Sequence, residues 1–157
     1  MIRTLLVSLV AAAAMALSST GAAMSTDPPA DSARPSDPDY EAGKAAINDK
    51  NWPGAIGAFG KVAAKDPRNA DAQNYLGFAY RKSGDLDAAF KHYNEALRLD
   101  PRHRGAHEYI GEAYLMQGNL AKAKEHLARL DRLCFFGCEE YDDLKKSIAE
   151  YEKNLKK

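Results

Sequence analysis

Apolar residues in the middle of the chain recur at intervals of three and four positions, which is the spacing of one face of an α-helix. Two such stripes follow each other, the first formed by Leu76, Ala79, Tyr80 and Ser83 and the second by Leu86, Ala89, Phe90, Tyr93, Ala96 and Leu97. Between them lies Ser83-Gly84-Asp85, where Gly84 can end one helix in the left-handed conformation and Asp85 can cap the next. The pattern therefore predicts two helices joined by a tight turn.

This helix-pair pattern repeats with a period of 34 residues. Gly43, Gly77 and Gly111 occupy the same place in three successive units, and Pro67 and Pro101 close the first two. A small residue recurs in the second half of each unit, at Ala55, Ala89 and Ala123. A fixed period of this length indicates stacked helical repeats, because one helix pair cannot bury its apolar face alone.

Taken together, these positions resemble the tetratricopeptide repeat. The middle unit, ADAQNYLGFAYRKSGDLDAAFKHYNEALRLDP, is the best match, although Gln73 stands where the family often has Trp. The first unit departs from the pattern at Asp39 and Ala42, and Phe135 replaces the closing proline of the third, as is common in terminal repeats. The resemblance implies an all-α fold: a right-handed α-solenoid of three helix-turn-helix units at about 36–69, 70–103 and 104–137, within a domain covering 39–157.

A further amphipathic helix is predicted after the repeats, at about 139–156. Its apolar residues follow helical spacing and are Tyr141, Leu144, Ile148, Tyr151 and Leu155. Acidic residues in its first turn and lysines at its end suit the helix dipole. We interpret it as a C-terminal capping helix, because an uncovered solenoid end would expose apolar surface. Its carboxylate pairs, Glu139-Glu140 and Asp142-Asp143, are interpreted as a solvated first turn.

The N-terminal residues have the pattern of an export signal. Arg3 precedes an apolar run from Leu5 to Leu17, and the small residues Gly21-Ala22-Ala23 offer a cleavage site after Ala23. The run is shorter than the roughly 20 residues that a permanent membrane helix needs. We therefore predict a signal peptide at 1–23 and a disordered leader, rich in Pro, Asp and Ser, at 24–38. A periplasmic or secreted location follows.

Charge and motifs exclude several classes of function. The chain has 22 basic and 22 acidic side chains, whereas nucleic-acid binding calls for a strong basic patch. It contains no phosphate-binding glycine loop, no serine elbow and no His-Glu-x-x-His segment. We expect no enzymatic activity, no catalytic residues, no cofactor and no nucleic-acid partner.

The two cysteines, Cys134 and Cys138, bracket Phe135-Phe136-Gly137 between the last repeat and the capping helix. In an oxidising compartment an even, closely spaced pair favours an intramolecular disulfide. Closing this short loop is worth about 2 kcal/mol and would fasten the cap to the repeats. A thiol-redox role is an alternative, although such enzymes typically place two residues between their cysteines. His126 lies nearby, but without a second ligand pair of suitable spacing we predict no metal site.

The resemblance also implies a binding surface. In this family the first helix of each unit lines a concave groove, and the corresponding positions here are Tyr40, Lys44, Asn74, Tyr75, Phe78, Arg81, Lys82, Glu108, Tyr109, Glu112 and Met116. Some members hold a C-terminal carboxylate with a Lys and Asn clamp. The places of that clamp are occupied here by Tyr40, Lys44, Tyr75, Gly105 and Tyr109, of which only Lys44 could take such a part.

These features predict a non-catalytic adaptor in the periplasm that binds a peptide segment or helix of another exported or membrane-associated protein. The contacts would come from the aromatic residues Tyr75, Phe78 and Tyr109 and from the charged residues Arg81, Lys82, Glu108 and Glu112. The main alternative is a structural protein that forms homo-oligomers through its repeat ends or its cap. A redox or metal-binding accessory protein that uses Cys134 and Cys138 is the less favoured one.

Overall fold

The structure, a computed structural model, describes residues 37–156. These residues form α1 (Pro38–Asn48), α2 (Trp52–Lys65), α3 (Ala70–Ser83), α4 (Leu86–Leu99), α5 (Arg104–Met116), α6 (Leu120–Leu133) and α7 (Glu139–Leu155). Residues 37–156 contain no strand, and none of their helices combines the length and apolarity needed to cross a membrane. The predicted signal peptide and almost all of the predicted leader lie outside the described residues.

The folded domain begins slightly before the predicted boundary at residue 39. Pro38 is the first residue of α1, where its missing N–H costs nothing because that group would have no partner inside the helix. The Asp37 side chain accepts a hydrogen bond of 2.8 Å from the backbone N–H of Asp39. The last two residues of the predicted leader therefore belong to the start of α1.

Each repeat has the caps that its turn sequence predicts. Asn51, Asn69, Asp85 and Asn119 each accept a hydrogen bond of 2.9 to 3.1 Å from the backbone N–H three residues later. The chain leaves α3 at Gly84 and α5 at Gly118, with φ of 94° and 77°. The equivalent place in the first unit is held by Lys50, with φ of 56°, which is uncommon for a residue with a side chain.

The helices pack in order along an all-α helical-repeat solenoid. The pairs α1 and α2, α3 and α4, and α5 and α6 form the units, and the second helix of each unit packs against the first helix of the next. After the third unit, α7 packs against both α5 and α6. The first helices α1, α3 and α5 thus occupy equivalent places in consecutive units, and α3 also contacts α5.

The repeated glycines allow large side chains to lie directly against the first helices. A Cβ on Gly43 would lie 2.6 Å from the Phe59 ring, and one on Gly77 would lie 2.5 Å from the Tyr93 ring. Each ring therefore fills space inside its own unit, and Phe59 also stacks on Tyr75 of the next unit at 4.8 Å.

The third unit uses a different partner for its glycine. Leu127 stands where Phe59 and Tyr93 stand in the other units, and it is too short to replace their rings. Leu144 of α7 supplies the contact instead, since a Cβ on Gly111 would lie 2.6 Å from its methyl group. Leu144 is fully buried. The C-terminal helix thus completes the core of the third repeat.

Candidate functional site

The predicted groove residues lie on α1, α3 and α5 but differ greatly in accessibility. Lys44, Lys82 and Met116 are exposed, Tyr40, Tyr75, Phe78, Tyr109 and Glu112 are partly buried, and Asn74, Arg81 and Glu108 are buried. Among the predicted groove residues, the exposed apolar surface therefore lies at Met116 and at the accessible parts of the aromatic rings. The buried residues need a separate explanation.

The aromatic residues predicted for the groove form two sets of ring contacts, one between α1 and α3 and the other between α3 and α5. Tyr75 stacks on Phe59 with an interplanar angle of 9° and meets Tyr40 edge-on at 5.8 Å. Phe78 lies 5.0 Å from Tyr109, measured between ring centroids. Such contacts fix the ring positions as well as adding packing energy. These ring contacts hold neighbouring units together.

Arg81 is buried beside the rings of Phe78 and Tyr109. Its guanidinium forms an ion pair with Glu112 at 2.6 Å, and its Nε–H donates to the Tyr93 hydroxyl at 3.2 Å. The guanidinium carbon also lies 5.4 Å from the Phe78 ring and 5.7 Å from the Tyr109 ring, within the range of cation–π attraction. With 6% of its surface exposed, Arg81 is buried in these contacts and presents no free charge, contrary to its predicted part in binding a partner.

A cavity of about 300 Å³ opens between α3, α5 and the start of α7. Its walls are formed by Asp71, Asn74, Tyr75, His103, Gly105, Glu108, Tyr109, Glu139, Glu140 and Asp143. Four of these, Asn74, Tyr75, Glu108 and Tyr109, are predicted groove residues. The first turn of α7 is largely exposed, as predicted, but three of its carboxylates also line the cavity, which was not predicted from the sequence.

A signal for this arrangement is present in the repeat period. Counting 34 residues onward from Tyr75 leads to Tyr109 and then to Asp143, and counting from Ile110 leads to Leu144. The C-terminal helix therefore continues the register of the first helices. Asp143 occupies the groove position of a fourth unit, of which only the first helix is present among residues 37–156.

Glu108 is the most perturbed carboxyl of the cavity. Burial raises the pKa of Glu108 to about 8, and the like charges of Glu112, Asp143 and Glu140 add to the effect, while Arg81 opposes it. Only 8% of its surface is exposed. No hydrogen bond or ion pair to Glu108 exists among residues 37–156.

The rim of the cavity is more fully paired. The backbone N–H of Ala106 donates to His103 Nδ1 at 3.1 Å, so His103 Nε2 carries the proton that it donates to Asp71 at 3.0 Å. Arg104 Nε lies 3.5 Å from a Glu140 oxygen. These contacts engage Asp71 and Glu140, whereas Glu108, Glu139 and Asp143 have no ion pair among residues 37–156.

A second polar cluster lies between α5 and α6. His107 Nε2 lies 3.1 Å from the Pro101 carbonyl, which can only accept, so His107 Nε2 is protonated and its Nδ1 accepts from His126 Nδ1–H at 2.9 Å. His107, whose Nδ1 accepts, is therefore neutral in this arrangement. Burial lowers the pKa of His107, and it lowers the pKa of His126 to about 4, with His107 adding to the effect.

This histidine pair predicts acid sensitivity. Because the folded-state pKa of His126 lies below the unfolded value of about 6.5, the unfolded chain binds more protons as the pH falls. We expect the pair to lower the free energy of unfolding by about 1 to 2 kcal/mol between pH 6.5 and pH 4, allowing for partial exposure. Urea unfolding at several pH values measures this loss.

The control for this prediction is His126→Gln, which keeps a polar side chain but does not titrate. Carboxylates elsewhere in the protein titrate equally in both proteins, so the difference between their pH profiles isolates the histidine. The loss on acidification should be smaller in the variant. Identical profiles would contradict the assignment.

The loop between α6 and α7 carries the two cysteines. Cys134 and Cys138 are joined by a disulfide, with Cα atoms 5.5 Å apart. Among residues 37–156 the one group of potential metal ligands close enough to share an ion is formed by these two cysteines and Glu140, and both sulfurs are engaged in the disulfide. Phe135 and Phe136, inside the loop, are 87% and 96% exposed.

The repeat architecture and its groove define the class of protein. Two family models, each described as tetratricopeptide repeat, match residues 40–101 and 80–148 and together span most of the chain. The chain belongs to the tetratricopeptide repeat family. No curated protein sequence matches it.

Solved structures with the same fold include three that contain a bound partner. The Yersinia enterocolitica type III secretion chaperone SycD, in complex with a peptide of the translocator YopD, has a TM-score of 0.63 at 19% identity, with 75% of this chain and 89% of that chain covered. The second TPR domain of human RPAP3, in complex with the HSP70 peptide SGPTIEEVD, has 0.62 at 23%, with 69% and 91% covered. The TPR2B domain of yeast Sti1, in a complex with pHsp70, has 0.67 at 19%, with 74% and 94% covered. At these identities the likeness concerns the fold.

Proposed function

We propose that this protein is a non-catalytic adaptor whose concave groove on α1, α3 and α5 binds a peptide segment or helix of a partner protein. The observation that carries the proposal is the aromatic surface formed by two ring pairs, Tyr40 with Tyr75 and Phe78 with Tyr109, whose rings remain partly accessible. Large rings held in place lose little conformational entropy when a partner binds. The peptide complexes of SycD and of human RPAP3 support the proposal by showing what this fold does in other proteins.

Export of the protein is part of the proposal. The pattern from Arg3 to Ala23 has the features of a cleavable signal, and the disulfide between Cys134 and Cys138 suits an oxidising compartment. The partner would accordingly be another exported or membrane-associated protein. Recovery of the protein from the periplasmic fraction with its N-terminus at Met24 would support this, and retention of residues 1–23 would contradict it.

The binding experiment uses protein immobilised after export, with partners captured from a periplasmic extract and identified by mass spectrometry. Phe78→Ser/Met116→Ser is the test variant, because Met116 is 55% exposed and Phe78 lies at the centre of the aromatic surface. Tyr75 is left intact, since it stacks on Phe59 and its loss would disturb the core. Circular dichroism establishes that the variant folds.

The matched control is Leu155→Ser, an equally apolar-to-polar change at a residue that is 65% exposed near the end of α7. A groove adaptor loses its partner in the double variant and keeps it in the control. Equal capture by all three proteins would place the binding surface elsewhere.

Self-assembly is the second candidate function, and the exposed pair Phe135 and Phe136 favours it. Two adjacent rings in a loop that the disulfide restrains provide apolar area at the capped end of the solenoid. Sedimentation at several concentrations separates the two functions. A monomer at all concentrations would remove self-assembly, whereas an oligomer that Phe135→Ser/Phe136→Ser dissociates would support it.

A further inference from the structure

We propose that the cavity between α3, α5 and α7 binds an arginine side chain of the partner segment. This inference rests on the groove-binding function proposed above and adds the chemistry of the residue that the groove selects. In this proposal α7 caps the solenoid and also forms the acidic wall of the binding site.

The first argument is the charge of the cavity. Five of its lining residues are acidic, namely Asp71, Glu108, Glu139, Glu140 and Asp143. Among residues 37–156, Arg104 is the one cation that forms an ion pair with them, at Glu140, while the neutral imidazole of His103 donates a hydrogen bond to Asp71. Within residues 37–156, Glu108, Glu139 and Asp143 have no ion pair. The cavity therefore has an excess of acidic side chains, of which Asp71, Glu139 and Asp143 are exposed and Glu108 is buried, and it favours a cation.

The second, independent argument is a buried acceptor without a donor. Asn74 lines the cavity and is 4% exposed, and its Oδ1 has no hydrogen-bond partner among residues 37–156. Buried polar atoms in proteins are nearly always paired, because an unpaired one loses its bond to water without replacement. Together with the unpaired carboxylate of Glu108, this amide makes a set of acceptors that a donor-rich ligand can satisfy.

The space around Asn74 is kept open by a glycine. A Cβ on Gly105 would lie 3.2 Å from Asn74 Nδ2, so any side chain at this position would crowd the amide and occupy the cavity. Gly105 itself is a lining residue. The volume of about 300 Å³ is sufficient for a side-chain end group.

The arrangement of the acceptors favours an organic cation over a metal ion. A calcium ion needs oxygen ligands at about 2.3 to 2.6 Å, which places the ligand atoms close together. Among residues 37–156 no set of three cavity carboxylates converges in this way; the one convergent group is that of Cys134, Cys138 and Glu140. A guanidinium suits dispersed acceptors, since it carries five donors in a plane and stacks on aromatic rings such as Tyr75 and Tyr109.

The same charge separates this groove from one that receives acidic peptide ends. The peptide bound to human RPAP3 has the sequence SGPTIEEVD, whose last residues are acidic. A peptide of that kind would meet like charge at Asp143 and Glu140 and, above a pH of about 8, at Glu108 as well. The cavity is thus expected to reject acidic termini and to select basic segments.

Glu108 also predicts a pH dependence of binding. It faces Glu112 on its own helix, Arg81 on α3, and Glu140 and Asp143 on α7, and its pKa is raised to about 8 mainly by burial. A guanidinium stabilises the ionised form, so binding becomes tighter as the pH rises from about 6 to about 9 and Glu108 loses its proton.

The test uses the isotopically labelled protein and two small probes, Nα-acetyl-arginine methylamide and its citrulline analogue, which has a similar shape but no charge. We expect the arginine probe alone to shift the NMR signals of the Asn74 side-chain amide and of the Glu108 and Asp143 backbones. Glu108→Gln should weaken binding by about tenfold, because a charge-assisted contact is lost. The matched control is Glu150→Gln, an exposed α7 position without an ion pair among residues 37–156, which should leave affinity unchanged.

Three results of the probe experiment would overturn the inference. They are equal shifts from both probes, no shift at these residues, and tighter binding of Nα-acetyl-lysine methylamide than of the arginine probe. None of these results bears on the adaptor function, which is tested separately by comparing partner capture by wild type and by Phe78→Ser/Met116→Ser. A partner captured equally by wild type and Glu108→Gln would retain the adaptor and remove the arginine site.

Discussion

Replacing Tyr93 with alanine is expected to lower the free energy of unfolding by about 4 kcal/mol, among the largest effects of any single truncation in this domain. The Tyr93 ring is fully buried against Gly77, where even a Cβ would lie 2.5 Å away, so the space cannot be refilled by a small shift of α3. The substitution also removes the hydroxyl that accepts from Arg81 Nε. Urea unfolding at neutral pH measures the change.

Tyr93→Phe is the matched control, because it keeps the ring and removes only the hydroxyl. It should cost about 1 to 2 kcal/mol, the usual effect of leaving one buried donor without its acceptor. If the two substitutions lower the free energy of unfolding equally, the hydrogen bond to Arg81 would be the main contribution of Tyr93. The packing of its ring against Gly77 would then contribute little.

The regularity of the fold explains why its helices were predictable from the sequence. Contacts within one helix pair are local, and the 34-residue period shows the same apolar face repeatedly, so Gly77, Tyr93 and Gly84 each reveal a role in packing or in ending a helix. Family membership and the all-α solenoid agree with this prediction. The close contact of Phe59 with Gly43 and of Tyr93 with Gly77 is a detail that the pattern did not convey.

The candidate site was less predictable, because sequence position shows which face of a helix a residue occupies but not what covers it. Arg81 and Lys82 are neighbours in the sequence, yet one is buried in an ion pair with Glu112 and the other is exposed. The acidic start of α7 resembles a solvated helix end until Asp143 is placed in the repeat register. The cavity arises from three helices that are far apart along the chain.

Leu144→Ala is expected to cost about 3 kcal/mol, a typical value for a fully buried leucine. Leu144 belongs to a core cluster with Leu115, Leu130 and Ile148, through which α7 is attached to the third unit. Losing it should therefore loosen α7 together with the acidic wall of the cavity. The control Leu155→Ala, at a residue 65% exposed, should change stability by no more than about 0.5 kcal/mol.

A double-mutant cycle with Gly111 tests whether Leu144 substitutes for the missing aromatic ring of the third repeat. Gly111→Ala alone should cost about 1 to 3 kcal/mol by overpacking, because its Cβ would lie 2.6 Å from the Leu144 side chain. In the Leu144→Ala background the same methyl group enters the vacated space, so the two costs should not add. Simple additivity would show that α7 only covers the end of the solenoid, whereas a smaller combined loss establishes that it completes the core of the third repeat.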